Sequence, residues 1–223
     1  MAENSRTFTH PDVFAAAARG ESWAEPITDP TQIDWPARQS QALIPFEVVD
    51  GRPVNPCERT SVRYGRGRLG RWGEQVAADA LVTVTDPDGN RWILMVERGD
   101  GFGWALPGGK RDQGEAIADT ARRELSEETG LDLATVAVRS WQVGQPRYVP
   151  DPRGTAEAWM VTVLVTFDLG DLAVPPVVVG ADDANRAEWV RADTYPVLTS
   201  WLATRYGGRV FAAHEAMLAE ALA

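Results

Sequence analysis

Apolar and polar residues alternate, or apolar residues cluster briefly, in several stretches of the chain between residues 80 and 190. Strands produce this pattern because successive side chains point to opposite faces of a sheet. The predicted strands cover residues 80–85, 91–97, 104–106, 136–143, 158–167 and 188–190. Residues 86–90, with the sequence Asp-Pro-Asp-Gly-Asn, separate the first two strands and predict a five-residue hairpin loop.

A helical period replaces this alternation after the third predicted strand. Ile117, Ala121 and Leu125 recur at four-residue steps, which predicts a helix with one buried stripe. We expect this helix to start near Glu115 and to end at Gly130 in a left-handed cap. Further helices are predicted over residues 11–19, 196–206 and 209–222. Strands and helices mix without a regular βαβ alternation, so the predicted fold class is α+β.

Residues 1–75 are punctuated by prolines that leave room only for short elements, such as a predicted strand at 46–49. Disorder is one interpretation of so many prolines. Trp23, Trp35 and Phe46 argue against it, because disordered chains are poor in large apolar residues. We therefore predict an N-terminal arm or small lobe over residues 1–75, packed on a main domain over residues 76–223.

The chain of 223 residues carries a formal net charge of −10. This charge argues against non-specific binding to nucleic acids or membrane surfaces, which are themselves anionic. Any polyanionic substrate must then be received by a local basic patch or by a metal ion. No signal peptide or membrane span is visible in the sequence, and we expect a cytoplasmic protein. The single Cys57 excludes an intrachain disulfide.

Three carboxylates crowd one side of the predicted helix near its carbonyl end, because Glu124, Glu127 and Glu128 stand at positions i, i+3 and i+4. Both the like charges and the helix dipole oppose this arrangement. Arg123 can reach Glu127 one turn on, but one guanidinium cannot neutralise three acids and Glu115 as well. A Mg²⁺ ion bound by a few carboxylates and by substrate phosphates would compensate the charge. A solvated acidic helix face is the alternative interpretation.

The stretch that contains these acids runs over residues 108–131 and reads GGKRDQGEAIADTARRELSEETGL. It resembles the signature of the Nudix hydrolases, with no departure at any specified position. The resemblance implies an α/β/α sandwich with a mixed sheet, and attack of water on a pyrophosphate that depends on Mg²⁺ or Mn²⁺. It also implies that Glu124, Glu128 and the carbonyl of Gly108 hold the metal ions. Glu127 would bind a further ion or orient the others, braced by Arg123.

The general base is left open by the family, which places this carboxylate either in the signature helix or on a later loop. Asp182 and Asp183 lie in such a loop and are the candidates. Loop acids without a catalytic role are the alternative.

Several segments outside the signature look like parts of the mitochondrial-type ADP-ribose pyrophosphatases and of the related ADP-ribose-sensing domain of a melastatin-type channel. They cover residues 51–56, 65–79, 151–160 and 181–190, in the same order. The resemblance implies hydrolysis of ADP-ribose to AMP and ribose 5-phosphate. One departure is the segment between Leu131 and Trp141, which is shorter here than in the animal enzymes. The signature is complete here, whereas that of the channel domain is degraded.

Two charged segments supply the candidate substrate-binding residues. The first, residues 63–73, is a predicted loop that alternates glycine with arginine, and its Arg66, Arg71 and Trp72 could approach phosphates, although a basic linker would show the same composition. The second carries Asp151 and Arg153 before the strand of Trp159, and we interpret it as lining the ribose end of the substrate. A surface ion-pair cluster is the alternative for the charged pair, and a core position is the alternative for the tryptophan.

Two functional hypotheses follow from these patterns. The first is a metal-dependent enzyme for ADP-ribose, with NADH, dinucleoside polyphosphates or nucleoside triphosphates as alternative substrates. The second is a non-catalytic ADP-ribose sensor on the same scaffold, which predicts broken metal ligands. All the signature carboxylates are present, and this favours the enzyme.

Overall fold

The computed structural model describes residues 6–223. The strands are β1 Arg6–Thr9, β2 Glu47–Val49, β3 Arg52–Val54, β4 Val62–Gly67, β5 Gly73–Thr85, β6 Arg91–Arg98, β7 Trp104–Ala105, β8 Gly108–Lys110, β9 Ser140–Val149, β10 Ala158–Asp171 and β11 Ala184–Arg191. The helices are α1 Pro11–Ala18, α2 Trp35–Gln41, α3 Ile117–Thr129, α4 Tyr195–Tyr206 and α5 Ala212–Ala221, with a 3₁₀ turn at Pro30–Gln32. None of the described helices is long and apolar enough to cross a membrane.

The chain divides into two compact units, and the divisions fall within strands β5, β9 and β10. The first unit comprises the described residues before Ala77 together with Pro146–Thr162, and the second comprises Ala77–Gln145 and Val163–Ala223. Whether a domain boundary lies between residues 75 and 76 stays a prediction. The first unit also includes residues 146–162, which were predicted to belong to the main domain.

A mixed seven-stranded sheet organises the second unit, with the strand order β11-β6-β5-β10-β9. Strands β7 and β8 extend this sheet, because β7 pairs with β6 and β8 pairs with β5, both antiparallel. The β5–β8 ladder places Gly108 opposite Asp79 and Gly109 opposite Ala78. The fold therefore anchors the glycine turn to a central strand.

Alternate residues of the central strands enter two different apolar clusters of the second unit. Ala80, Val82 and Val84 pack in one cluster with Leu125 of α3. Leu81, between them on β5, packs in the other cluster, which also holds residues of α4 and α5 such as Leu202 and Leu218. Successive strand residues face opposite sides of a sheet. Helices thus cover both faces of the sheet, and the predicted α+β sandwich is confirmed.

The first unit has an aromatic core of its own. Trp35, Phe46, Trp72 and Trp159 are buried together with Ile33 and Val161. The ring of Phe46 meets those of Trp35 and Trp159 edge to face, at centroid distances of 6.1 and 5.2 Å. The proline-rich segment is therefore folded around large side chains, as their abundance predicts.

The local predictions hold where turn chemistry specifies the backbone. The loop over residues 86–90 joins β5 to β6 as predicted, and Gly130 caps α3 in the left-handed region with φ 70°. Helix α3 begins at Ile117, two residues later than expected, because Glu115 lies in the turn before it and accepts a hydrogen bond from the amide of Asp112.

Two segment predictions were wrong. The strand expected over residues 136–143 begins only at Ser140, because Val136 and Val138 pack, partly buried, against the α3 cluster and lie outside any strand. The basic junction at 63–73 was expected to be a loop. Its first half belongs to β4, which pairs in parallel with β1, since Tyr64 lies opposite Thr7 in that ladder.

Candidate active site

The turn between β7 and β8 brings backbone within reach of two carboxylates, and only glycine fits there. A Cβ on Gly109 would lie 2.5 Å from the carboxylate atoms of Glu124, and one on Gly108 would lie 2.3 Å from Oδ1 of Asp79. The amide of Gly108 donates a 3.1 Å hydrogen bond to Oε2 of Glu128. The glycines of the signature thus form a cradle for the acids of α3.

Helix α3 buries Glu128 on the same side as Ala121 and Leu125, which are both fully buried, while Glu127 points away from that side. The side chain of Glu124 is 13% exposed and that of Glu127 is 48% exposed, while Glu128 is 6% exposed as a residue. The three acids predicted from their spacing therefore lie in different environments. Glu128 is the deepest of them and Glu127 faces solvent.

One guanidinium organises the acids at the solvent side of the helix. Arg123 donates to Glu115 at 3.0 Å, to Glu124 at 2.7 Å and to Glu127 at 3.1 Å, and also to the carbonyl of Lys110. The hydrogen bond from Arg123 lowers the pKa of Glu115 from 4.5 to about 2, and the same contacts raise the pKa of Arg123. Arg123 therefore ties the start of the signature segment to its helix.

The buried acids behave in the opposite way. Burial and hydrogen-bond contact with the Asp183 carboxylate raise the pKa of Glu128 from 4.5 to about 9. Burial also raises the pKa of Glu124, against the effect of Arg123. Two carboxylates in contact require a proton or a cation, because both cannot carry a charge at that distance without compensation.

The loop before β11 brings Asp183, but not Asp182, to these acids. The amide of Ala181 donates to the carbonyl of Glu128 at 3.0 Å, and the amide of Gly99 donates to the carbonyl of Asp183 at 2.8 Å. Asp182 is exposed and adopts a positive φ of 54°, which turns the chain between these two anchors. Of the two candidate bases, the structure therefore groups only Asp183 with Glu124 and Glu128.

A hard divalent cation fits this donor set. Among residues 6–223, no three His, Cys, Asp or Glu side chains are arranged as a complete ligand group. Asp183, which is exposed as a residue, nevertheless contacts the buried carboxyl of Glu128, and the cradle at Gly109 leaves Glu124 beside the glycine turn. Mg²⁺ prefers this class of site, with one or two carboxylates and the remaining positions left to water and phosphate oxygens.

A buried histidine lies behind the glycine turn, and it was not among the residues predicted from the sequence. His214 of α5 is 7% exposed, and its Nδ1 accepts a 3.1 Å hydrogen bond from the amide of Leu106. Its Nε2 lies 3.5 Å from Oδ1 of Asp79, which is also buried. Burial lowers the pKa of His214. The only signal in the sequence is that histidine is scarce, with two in the whole chain.

The predicted phosphate-binding residues of the basic junction make intramolecular contacts in the first unit. The guanidinium of Arg66 is buried and donates to the carbonyls of Glu25 and Gly70 at 2.7 and 2.9 Å. Arg71 donates to the carbonyl of Ser22, and the buried indole of Trp72 donates to the carbonyl of Ile27. These contacts support the fold of the first unit, and the roles of Arg66, Arg71 and Trp72 in binding stay predictions.

The predicted ribose-end residues divide into an ion pair and a core side chain. Arg153 donates to both carboxylate oxygens of Asp151, and its carbonyl accepts from the amide of Arg68 at 2.8 Å. The charged segment that carries Asp151 and Arg153 therefore packs on the basic segment 63–73. Trp159 is 1% exposed and belongs to the aromatic core. The binding roles of all three residues stay predictions.

The first unit also encloses a cavity of about 540 Å³. Arg52, Tyr64 and Glu157 lie in its wall, where Glu157 is paired with Arg52 and accepts from the amide of Gly65. The guanidinium of Arg52 also lies over the ring of Tyr64, 4.9 Å from its centroid. None of the six predicted substrate-binding residues lines this cavity.

Comparisons with known proteins identify relatives of this site. A family model described as "NUDIX domain" matches residues 74–206. The chain is 36% identical over 190 residues to "Putative nudix hydrolase 6" of Caenorhabditis elegans, covering 78% of this chain and 73% of that protein. It is 33% identical over 174 residues to the mitochondrial ADP-ribose pyrophosphatase of Rattus norvegicus, covering 65% of this chain and 49% of the rat protein.

A channel is also among the relatives. The chain is 36% identical over 171 residues to the transient receptor potential cation channel subfamily M member-like 2 of Nematostella vectensis. The match covers 66% of this chain and 11% of the channel. The chain thus spans about half of the rat protein and a small part of the channel.

Proposed function

Because the chain belongs to the NUDIX domain family, we propose that it is a metal-dependent hydrolase that cleaves ADP-ribose to AMP and ribose 5-phosphate. The observation that carries the proposal is the cluster of Glu124, Glu128 and Asp183 at a glycine cradle that admits no side chain. The rat relative, named for this activity, supports the choice of substrate.

Glu124 and Glu128, with the carbonyl of Gly108, would hold the divalent cation. When bound, the cation supplies charge neutralisation at the pyrophosphate and a water of lowered pKa. In hydrolysis, a bond forms between the water oxygen and one phosphorus while the bridging P–O bond breaks. A proton leaves the attacking water, and the bridging oxygen departs with its phosphate.

The residues of the chain contribute mainly position and charge to this reaction. Arg123 fixes Glu124 and Glu127 on α3, so that neither carboxylate must be ordered when substrate binds. We assign Asp183 as the acceptor of the water proton, because it is the loop carboxylate that lies with the α3 acids. Glu127, which is paired with Arg123 and half exposed, is the alternative acceptor.

A substrate panel tests the proposal. ADP-ribose, NADH, diadenosine tetraphosphate and ATP are each incubated with the protein and Mg²⁺ or Mn²⁺, and the products are identified by chromatography. We expect the highest kcat/KM for ADP-ribose, because a site that pairs the free anomeric hydroxyl of the second ribose discriminates against NADH and diadenosine tetraphosphate, where a base replaces that hydroxyl, and against ATP, which has no second ribose. A higher value for NADH or a nucleoside triphosphate under both metals would refute the substrate assignment. Label from ¹⁸O-water in one product only is the expected signature of a single attack.

The sensor hypothesis is the second candidate, and the match to a channel is the observation that favours it. A sensor binds ADP-ribose without turnover, so calorimetric binding together with unchanged ligand after prolonged incubation would select it over the enzyme. Glu128→Gln serves as the catalytically impaired control in the same assays. If wild-type protein and this variant release AMP at equal rates, the α3 carboxylates do not catalyse the reaction.

A further inference from the structure

His214 connects two structures that meet at the glycine turn. Its Nδ1 accepts from the amide of Leu106, two residues before Gly108. Its Nε2 faces Asp79, which lies opposite Gly108 in the β5–β8 ladder. The imidazole therefore contacts both the segment that enters the turn and the strand against which the turn is paired.

These contacts determine the tautomer of the imidazole. A ring nitrogen that accepts a backbone N–H carries no proton, so the proton of the neutral ring is on Nε2. From there it points towards Oδ1 of Asp79 at 3.5 Å. Leu106 donates to the ring on one side, and the carboxylate of Asp79 lies 3.5 Å from it on the other, so each polar end of the ring faces a fixed partner.

Small displacements of this turn alter the acid cluster directly. The amide of Gly108 donates to Glu128, and the space at Gly108 is so limited that a Cβ would meet the carbonyl of Ala78 at 2.6 Å as well as Asp79. A shift of Leu106 or Asp79 by a few tenths of an ångström would thus change the distance between Gly108 and Glu128. Outer groups that orient metal ligands typically affect metal affinity by about 10- to 100-fold.

We propose that His214 is a positioning residue which, through Leu106 and Asp79, holds the backbone of Gly108 in the orientation that the carboxylates of α3 require. The proposal rests on the metal-dependent hydrolysis proposed above. It predicts a specific effect on metal binding, whereas a histidine that only fills the core would affect stability alone.

Three variants and a control separate these roles. His214→Leu removes both polar contacts, His214→Asn retains an acceptor near the position of Nδ1, and Asp79→Asn removes the charge on the other side. Met217→Leu is the control, because Met217 is a buried residue of the same helix and changes packing only. Mn²⁺ affinity is measured by calorimetry or by electron paramagnetic resonance without substrate, and thermal unfolding is measured in the metal-free protein.

We expect His214→Leu and Asp79→Asn to weaken Mn²⁺ binding roughly tenfold or more, and His214→Asn to recover part of the loss. Met217→Leu should alter the melting temperature without changing the affinity. In steady-state assays, kcat at limiting metal should fall while the KM for ADP-ribose changes little at saturating metal. If His214→Leu binds Mn²⁺ as wild type does, or if Met217→Leu loses as much affinity, the positioning role is wrong.

Amide hydrogen exchange at Gly108 provides a readout that needs neither metal nor turnover. Exchange should be faster in His214→Leu than in wild type and near wild type in His214→Asn, and equal rates in all three would overturn the proposal. If His214→Leu exposes the Gly108 amide but wild-type protein cleaves no ADP-ribose, the proposed function is wrong and the positioning role stands. If wild-type protein cleaves ADP-ribose and exchange and affinity are unchanged in every variant, the positioning role alone is wrong.

Discussion

Replacing Glu128 with glutamine tests the acid cluster most directly, because the substitution keeps the shape of the side chain and removes its titration. Burial and the contact with Asp183 raise the pKa of Glu128 from 4.5 to about 9. In metal-free protein between these pH values, the folded chain keeps a proton that the unfolded chain loses. The free energy of unfolding therefore decreases as the pH rises from 4.5 to about 9. The contribution of Glu128 to stability is fully present below pH 4.5 and is lost once the pH passes about 9.

The size of this effect follows from the shift. A pH of 7 is 2.5 pH units above the pKa of 4.5 that the carboxyl has in the unfolded chain, which corresponds to about 3 kcal/mol at about 1.36 kcal/mol per unit. Glutamine does not ionise in either state, so the metal-free variant should be more stable than wild type at pH 7 by up to about 3 kcal/mol. For a chain of this length, that difference raises the melting temperature by about 6 to 12 °C. Turnover with metal should fall by about 10²-fold or more, because a charged contact at the reacting phosphate is lost.

Thermal unfolding in EDTA between pH 5 and pH 9 measures the difference. The control is Asp119→Asn on the same helix, where the side chain is 66% exposed and the pH dependence should match that of wild type. The reasoning is refuted if Glu128→Gln loses stability with rising pH as steeply as wild type. It is also refuted if the variant hydrolyses substrate at the wild-type rate with metal still required.

Three further predictions rest on other contacts. Gly109→Ala should displace the Glu124 carboxylate, which a Cβ would meet at 2.5 Å, and should lower both stability and Mn²⁺ affinity by calorimetry, at a stability cost of about 1–3 kcal/mol. Gly89→Ala is its control, because the added Cβ meets no atom within 4 Å and the φ of 81° costs stability without touching the acids; equal metal affinity in both variants would contradict the prediction. Glu115, whose pKa falls from 4.5 to about 2, contributes stability above pH 4.5 that is lost as the pH falls towards 2. In urea unfolding, Glu115→Gln should therefore lose about 3 kcal/mol of unfolding free energy at pH 7, and this free energy should change less between pH 4.5 and pH 2 than in wild type. Limited trypsin digestion of the native protein should leave residues 26–56 uncut, because they pack in the first unit, and rapid cleavage there would contradict a folded lobe.

Local chemistry made much of the fold predictable. Gly130 must adopt a left-handed conformation to end α3, and the loop after β5 carries residues that favour a turn, so both features depend on few neighbours. The apolar pattern of residues 80–85 also predicted a strand, which forms part of β5, whereas helices on both faces of the sheet were implied by the family resemblance. The strand expected at 136–143 was wrong because an apolar pattern does not distinguish strand pairing from irregular packing. Val136 and Val138 are partly buried by irregular packing against the cluster that contains α3.

The candidate site was predictable where its residues share one helix. The spacing of Glu124 and Glu128 places them on one side of α3 whatever surrounds it. Spacing does not show which of two adjacent loop acids contacts the helix. Asp183 contacts Glu128, whereas Asp182 forms the turn before it with a positive φ. The contact between His214 and Leu106 joins residues 108 positions apart, so no local pattern indicates it. The sequence likewise showed that Arg66 is basic, but not that its guanidinium is buried against two carbonyls.

The acids at the start and at the end of the signature segment differ in their effect on stability. Glu115 is paired with Arg123 and its pKa falls, so this contact stabilises the fold near neutral pH. None of the contacts described for Glu128 within residues 6–223 is with a cationic side chain, and its pKa rises. A chain selected for stability alone would replace such a buried acid with a neutral residue. Glu128 beside Asp183 therefore keeps a proton in the metal-free protein, and under the proposed function a divalent cation would take the place of that proton when the pyrophosphate substrate binds.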